Sequence, residues 1–286
     1  HIYVNQPERQ TQNRVIKFFQ EALGYEYLGN WEHREGNSNI EEDYLKDFLK
    51  KQGYEDKIIR KAIGQLKKTA TQQHKSLYDK NKEVYQLLRY GVDIKSSPSE
   101  QSIHVHFIDW NNSENNHFAI AEEVTVVGKH IKRPDIVIYI NGIAVGVLEL
   151  KRSRISISEG IRQNLDNQKK DFIQDFFATI QLVMAGNSTQ GLRYGTIETP
   201  ERYYLEWKEE NPEYDHNKKS DIPRTLPREK CEKSDNILDC DIYRFLNKER
   251  LLEIIHDFII FDAGTKKVPR HNQYFAVKAA QKSLKK

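Results

Sequence analysis

The sequence predicts an α/β fold, a mixed sheet flanked by helices, on three observations. Helical spacing of apolar residues dominates positions 11–91. Two β-branched apolar runs, 136–140 and 143–150, are separated by Asn141-Gly142, the preferred two-residue turn of a β-hairpin. A further helical stripe and a short buried strand come after the hairpin. This alternation of helices and strands is typical of a sheet covered by helices.

The first helix is predicted at residues 11–23, where apolar residues recur at helical spacing until Gly24 ends the pattern. Helical spacing then repeats three times within residues 38–91, with Gly53 and Gly91 as punctuation. We interpret this second block as a helical insertion in the α/β core.

Strand patterns begin at Ile103 and continue through residues 124–127. After the hairpin, Ser156 and Glu159 have the spacing of a capping box, and apolar residues at helical spacing reach as far as Phe177. The remaining predictions are a buried strand at residues 180–185, a charged loop at residues 208–236 and a final helix at residues 248–258.

Composition excludes several classes of protein. The net charge is only +3, so any nucleic-acid site must be a local patch. The mean hydropathy of −0.79 indicates a globular body with very polar excursions. Cys231 and Cys240 form no CxxC pair and cannot complete a structural zinc site. No apolar run has the length of a membrane span. We therefore expect a cytoplasmic protein that has no membrane partner.

The residues that carry chemistry lie on the second strand of the hairpin. Glu149 and Lys151 flank Leu150, and because side chains alternate along a strand, both charges project to one face while Leu150 points into the core. A solvated ion pair is the ordinary interpretation of such a pair. Here the strand is otherwise apolar, and burying unpaired charge would be costly, which favours a functional site.

Asp135 stands at the mouth of the adjoining strand. A tight turn would bring it near Glu149 and Lys151, because cross-strand neighbours lie about 5 Å apart. Two converging carboxylates suit Mg²⁺, for which Mn²⁺ is the expected substitute. Such a metal would polarise a phosphodiester, while Lys151 could orient a water molecule or neutralise developing charge.

Arg133-Pro134-Asp135, followed by Leu148-Glu149-Leu150-Lys151, resembles the motif of PD-(D/E)xK nucleases. More closely, residues 133–153 are similar to the nuclease domain of type I restriction enzyme R subunits. The resemblance touches most of the chain from Arg133 onward, and the first helix weakly. It implies a restriction-endonuclease-like core, with Asp135 and Glu149 as metal ligands and Lys151 as the catalytic lysine.

The same family usually has a QxxxY element on the helix after the catalytic strand. Gln163 falls in place and is expected to serve the site, whereas Asn167 occupies the tyrosine position. Many nucleases of this fold also have an acidic residue on the first helix that serves the metal. Glu8 is the candidate for this role, and Glu21 is the alternative.

Basic residues crowd the catalytic strand and the helix after it. We expect them to contact DNA phosphates, although a solvated helix face is the alternative. The candidates are Arg152, Arg154, Arg162, Lys169 and Lys170. His104 and His106 share one strand face, but such a pair is usually structural and we assign it no metal.

Residues 270–275 resemble the region before the phosphate-binding loop of a superfamily 2 helicase, which would make Gln273 an adenine reader in a complete protein. No GxxxxGK[ST] loop follows in this sequence. We therefore divide the chain into an endonuclease domain, residues 1–265, and the start of a truncated motor, residues 266–286. ATP is expected only in the full-length protein.

The predicted function is Mg²⁺-dependent hydrolysis of duplex DNA. The family resemblance implies coupling to ATP-driven translocation, with modification and specificity subunits as partners. Two alternatives stay open: a repair or recombination nuclease of the same fold, and a non-catalytic module for DNA binding or assembly. The intact set of Asp135, Glu149 and Lys151 argues against the module, and the motor-like tail argues against a stand-alone nuclease.

Overall fold

The computed structural model of the chain describes residues 6–209 and 236–285, so the predicted charged loop lies almost entirely outside the described residues. The described helices are α1 (Gln6–Glu21), α2 (Glu42–Lys51), α3 (Asp56–Ala70), α4 (Leu77–Tyr90), α5 (Ile157–Asn167), α6 (Ile237–Leu246), α7 (Lys248–Phe258) and α8 (His271–Leu284). The described strands are β1 (Glu26–Asn30), β2 (Val92–Ile94), β3 (Ile103–Val105), β4 (Phe118–Glu122), β5 (Val126–Val127), β6 (Ile131–Lys132), β7 (Ile136–Ile140), β8 (Ile143–Leu150), β9 (Leu182–Asn187), β10 (Gly191–Gly195), β11 (Ile260–Asp262) and β12 (Thr265–Lys267).

The central sheet has six strands in the order β1-β4-β7-β8-β9-β10. It is mixed, because β1 runs parallel to β4 and β8 runs parallel to β9, while the other neighbours are antiparallel. Every residue of β7 and β8 is buried, and alternate residues of β7 join two different apolar clusters, one on each face of the sheet. The predicted mixed sheet flanked by helices is confirmed.

The hairpin of β7 and β8 forms as the sequence predicts. Asn141 and Gly142 have φ values of 53° and 80°, the left-handed region that a two-residue hairpin turn demands. The Asn141 side chain also accepts the His117 N–H at 2.7 Å and donates to the Phe107 carbonyl at 3.0 Å. A Cβ on Gly142 would lie 2.4 Å from the Glu41 carbonyl oxygen, so the turn also fits closely under the start of α2.

The strand pattern predicted upstream of the hairpin is confirmed at residues 103–105 and 126–127, but it did not locate the strand that lies beside β7. Residues 103–105 form β3, but β3 pairs only with β2 in a separate two-stranded sheet. The strand beside β7 is Phe118–Glu122, and all five of its residues are buried. A strand that is buried on both faces has no polar alternation, so its short apolar run carries little periodic signal.

The helix after β8 is shorter than predicted. It begins after Ser156, whose side chain accepts the Ser158 N–H, and it ends at Asn167 instead of continuing to Phe177. A turn follows, in which the Ile173 N–H donates to the Asn167 carbonyl, and a short 3-10 helix covers Gln174–Ala178. This break lets the aromatic residues 176 and 177 pack into the cluster on the face opposite the large core.

The predicted strand at 180–185 is confirmed with a shift of two residues, and the final predicted helix is confirmed as α7. Three helices, α2 to α4, occupy the predicted helical block, and their apolar faces join the main core. Sequence reasoning missed β10, α6, the β11–β12 hairpin and α8. No helix in the described ranges is both long enough and apolar enough to cross a lipid bilayer.

Candidate active site

The predicted catalytic residues meet at one end of the central sheet. Asp135 directly precedes β7, Glu149 lies near the end of β8 and Lys151 directly follows that strand. The antiparallel register pairs Ile136 with Leu148. The Asp135 Oδ2 atom accepts the Leu150 backbone N–H at 2.7 Å, which fixes the carboxylate against the neighbouring strand. The hairpin therefore converts a sequence separation of many residues into one cluster.

Helix α5 covers this cluster at short range because it carries a glycine there. A Cβ on Gly160 would lie 3.1 Å from the Cβ of Ala185 and 3.7 Å from the Cβ of Glu149. One turn further along, the Gln163 side chain accepts a hydrogen bond from Lys151 Nζ at 2.8 Å and donates one to Glu149 Oε2 at 3.2 Å. Gln163 thus connects the lysine to the carboxylate, and the structure places it in the predicted cluster.

The two carboxyl groups perturb one another. Burial, and then the neighbouring Asp135 carboxylate, raise the pKa of Glu149 well above its usual range, although Lys151 opposes the effect. Burial also raises the pKa of Asp135 to about 6, although the Leu150 backbone N–H, and the Glu149 carboxyl group when it is protonated, donate hydrogen bonds that lower it. Each carboxyl group is therefore harder to ionise than an exposed one, unless a cation joins them.

The donor set fits a hard divalent cation. Glu149 is fully buried, and its Oε1 atom has no hydrogen-bond partner within the described residues. The nearby Asp135 carboxylate is itself an acceptor, so only a proton or a cation can relieve both groups. In the described ranges no group of three or more His, Cys, Asp or Glu side chains is arranged to hold a metal ion. Mg²⁺ is commonly held by one or two carboxylates together with water and phosphate, which matches the pair present here.

A cleft of ≈ 630 Å³ opens beside the carboxylates, and Asp135 and Gln163 form part of its wall. Glu8, in the first turn of α1, lines the same cleft. Glu21 lies at the other end of α1, is exposed and forms an ion pair with Lys17 at 3.8 Å. Of the two acidic candidates on this helix, Glu8 is thus the one that shares the cleft with Asp135.

Sequence reasoning missed a second acidic group beside the site. Glu122, at the end of β4, is buried and accepts hydrogen bonds from Tyr27 at 2.7 Å, Gln12 at 2.8 Å and Arg9 at 3.0 Å. Burial alone would raise the pKa of Glu122, but these donors lower it. Glu123, next in the chain, lines the cleft and forms an ion pair with Arg133 at 2.8 Å. The donors come from α1 and β1, so no local pattern in the sequence marks this network.

The predicted phosphate contacts divide into two groups. Arg162 donates two hydrogen bonds to Glu201, at 2.9 and 3.2 Å, and Lys169 donates to Asp166 at 2.7 Å. The exposed side chains of Arg154 and Lys170 form no such ion pair within the described residues, and Arg152 is partly buried with its Nε unbonded there. For all five basic residues, contact with DNA stays a prediction.

Three further candidates lie away from the cluster or at its edge. Asn167 is buried at the end of α5, where its backbone carbonyl accepts the Ile173 N–H. His104 bonds Asp93 and the Tyr90 carbonyl, each at 2.7 Å, and its ring lies 4.6 Å from that of His106. Gln273 is exposed, and its side-chain carbonyl accepts the Arg270 N–H at 2.9 Å, at the start of α8.

The fold and this cluster define an α/β protein in which a buried glutamate, a half-buried aspartate and a lysine meet at one end of a mixed sheet. The chain belongs to the family of type I restriction enzyme R protein N termini, whose model matches residues 5–202. The predicted resemblance to R subunits is thereby confirmed.

Named relatives agree with this assignment. The chain is 28% identical over 278 residues to a Methanocaldococcus jannaschii protein named "Putative type I restriction enzyme MjaVIIIP endonuclease subunit", covering 92% of this chain and 24% of that protein. It is 23% identical over 286 residues to the type I restriction enzyme HindI endonuclease subunit of Haemophilus influenzae, covering 91% of this chain and 25% of the relative. The chain therefore spans about a quarter of the length of these relatives.

Proposed function

We propose that this chain is the endonuclease module of a type I restriction enzyme R subunit and that it hydrolyses phosphodiester bonds of duplex DNA with Mg²⁺. The observation that carries the proposal is the buried Glu149 carboxylate, whose Oε1 lacks a partner in the described residues and which lies beside the half-buried Asp135, a second carboxyl group with a raised pKa. Two neighbouring carboxyl groups of this kind destabilise the fold when nothing is bound between them, and a bound cation removes that cost.

Within the proposed reaction, Asp135 and Glu149 would hold the metal, and Glu8 faces the same cleft as a third oxygen donor. The bound Mg²⁺ would supply charge to polarise the scissile phosphate and would lower the pKa of a water molecule. Lys151, positioned by Gln163, stabilises negative charge that develops on the phosphate. Gln163 offers a neutral amide to both neighbours and is a positioning residue in this scheme.

The wider activity is proposed from the family. The relatives are about four times as long as the matched region, so their remaining length has room for a motor. We propose that in the full-length protein cleavage is coupled to ATP-driven translocation and Gln273 contributes to the ATP site. We propose modification and specificity subunits as its partners. A cytoplasmic location is proposed with them, because the DNA substrate and the subunits would be found there.

The test separates metal binding from chemistry, with the whole protein that carries this chain and its partner subunits acting on plasmid DNA. Asp135→Asn should abolish Mn²⁺ binding, measured by calorimetry, and double-strand cleavage together. Lys151→Ala should leave Mn²⁺ binding intact and slow cleavage by about 10²- to 10³-fold, the usual effect of losing a group that stabilises transition-state charge.

Glu249→Gln is the matched control, because Glu249 is an exposed carboxylate on α7 that does not line the cleft. It should bind Mn²⁺ and cut DNA as the wild type does. Cleavage at the wild-type rate by either the Asp135 or the Lys151 variant would refute the catalytic assignment and favour a non-catalytic module.

A further inference from the structure

The mouth of the cleft carries a small β-hairpin, formed by β5 and β6, that spans Val126–Lys132; we refer to it as the cleft hairpin. Ile131 and Lys132 line the cleft that contains Asp135. The hairpin lies outside the central sheet and contributes no residue to the carboxylate cluster.

Two large apolar side chains on this hairpin face solvent. Val127 is 76% exposed and Ile131 is 65% exposed. The two residues are directly paired across the hairpin, so their side chains lie on the same face, where paired Cβ atoms are about 5 Å apart. The other pair, Val126 and Lys132, lies on the opposite face, which is buried or half-buried. The two adjacent side chains form a small apolar surface beside the cleft, which is available to a binding partner.

The hairpin is held firmly against the protein on its other face. A Cβ on Gly128 would lie 2.1 Å from the Phe172 carbonyl oxygen, so the backbones are in close contact. The Lys132 ammonium lies 4.4 Å from the centre of the Phe172 ring, and the His130 ring lies 5.6 Å from it. A surface that is already ordered loses little conformational entropy when it binds, which favours a docking role.

The positive charge around Val127 and Ile131 indicates which kind of partner fits this apolar surface. The segment from Val126 to Arg133 contains Lys129, Lys132 and Arg133, together with His130, and has no carboxylate. Arg133 is paired with Glu32 and Glu123, so Lys129 and Lys132 carry the positive charge that the hairpin presents. Within the described residues Lys129 pairs with the exposed Asp171 at 3.5 Å, a surface ion pair that contributes little and is easily exchanged for another anion. Apolar side chains bordered by cations on a narrow two-stranded ribbon match a nucleic-acid duplex, whose grooves admit such a ribbon and whose phosphates border it.

We propose that the cleft hairpin enters a groove of the duplex DNA next to the phosphate that is cut, with Val127 and Ile131 against sugars and base edges and Lys129 against phosphate. This inference rests on the proposed function, since it takes the duplex held in the cleft as the substrate. It adds a surface that holds the duplex without touching the carboxylate cluster.

The first test replaces both apolar side chains in the whole protein. Val127→Asn with Ile131→Asn should weaken binding of a fluorescent duplex about tenfold, because the free energy of burying two apolar side chains is lost. The measurement is made in an Asp135→Asn background, so that the duplex stays intact. Ile260→Asn is the matched control, because Ile260 is 57% exposed on the β11–β12 hairpin, which does not line the cleft. The control should bind with unchanged affinity.

A second measurement records proximity directly and does not depend on cleavage or on tolerance of the double substitution. His130→p-benzoylphenylalanine, in the same background and with chelator, should crosslink to the duplex on irradiation, whereas Ile260→p-benzoylphenylalanine should not. Wild-type affinity in the double variant, or no crosslink from position 130, overturns the hairpin proposal even if Asp135 proves essential for cleavage. A crosslink from position 130 combined with wild-type cleavage by Asp135→Asn supports the hairpin and refutes the nuclease assignment instead.

Discussion

Two buried glutamates near the same end of the central sheet have opposite surroundings. Glu122, on β4, accepts hydrogen bonds from three side chains, and its pKa is lowered. Glu149, on β8, receives one donor on Oε2 and none on Oε1 within the described residues, and its pKa is raised well above the usual range. A buried carboxylate that accepts hydrogen bonds on both oxygens stabilises the fold. A buried carboxylate with one oxygen left without a donor keeps its affinity for a cation.

The largest expected effect of this contrast is on metal binding. Glu149→Gln should remove Mn²⁺ binding and reduce cleavage by at least about 10²-fold, because the amide brings no negative charge to the site. In chelator at pH 7.5 the variant should unfold at the same or a higher denaturant concentration than the wild type, since a buried carboxyl group that is costly to ionise is replaced by a neutral amide. Calorimetry and urea titration measure the two effects, and a variant that both binds Mn²⁺ and unfolds earlier would contradict the contrast.

The matching change at the other glutamate should act on stability. Glu122→Gln should lower the free energy of unfolding by about 1–3 kcal/mol, because donors from Tyr27, Gln12 and Arg9 lose a charged acceptor. Mn²⁺ affinity should stay close to that of the wild type when both proteins are folded. Urea denaturation followed by circular dichroism gives the first value, and the prediction is wrong if Glu122→Gln is as stable as Glu249→Gln.

The smallest expected effect is on the pH dependence of stability. The pKa of Asp135 is raised from 3.8 to about 6, so the folded protein binds this proton more tightly than the unfolded chain does. In chelator the free energy of unfolding should therefore fall as pH rises from about 4 through about 6. Glu122 has the opposite sign, since its lowered pKa contributes stability above its usual value of 4.5 that is lost on acidification.

Asp135→Asn removes one of these titrations and should flatten the fall between pH 4 and pH 6. At pH 7.5 in chelator, the variant should melt a few degrees above the wild type. Thermal melts at pH 4.5 and 7.5 provide the comparison. Parallel profiles for the two proteins would show that the Asp135 proton is not bound more tightly in the folded state.

The hairpin of β7 and β8 shows how much local pattern can predict. Asn141-Gly142 specifies the turn, and alternation along β8 places Glu149 and Lys151 on one face, so the meeting of Asp135 with both residues followed from the sequence. Gln163 was placed through the resemblance to nucleases, and its contacts agree with that placement. The end of α5 was predicted wrongly, because its apolar spacing continues through a turn that tertiary contacts impose.

By itself, then, the sequence determined the α/β class, the central hairpin and the grouping of Asp135, Glu149 and Lys151, because each depends on contacts between residues close in the chain or joined by one tight turn. Only the tertiary structure decided that β4 lies beside β7, that Glu122 is satisfied while Glu149 is not, and that Glu8 shares the cleft. The hydrogen bonds of α1 with Glu122 on β4, for example, join residues more than a hundred positions apart. Such contacts are set by the packing of whole elements, for which a short stretch of sequence carries no periodic signal.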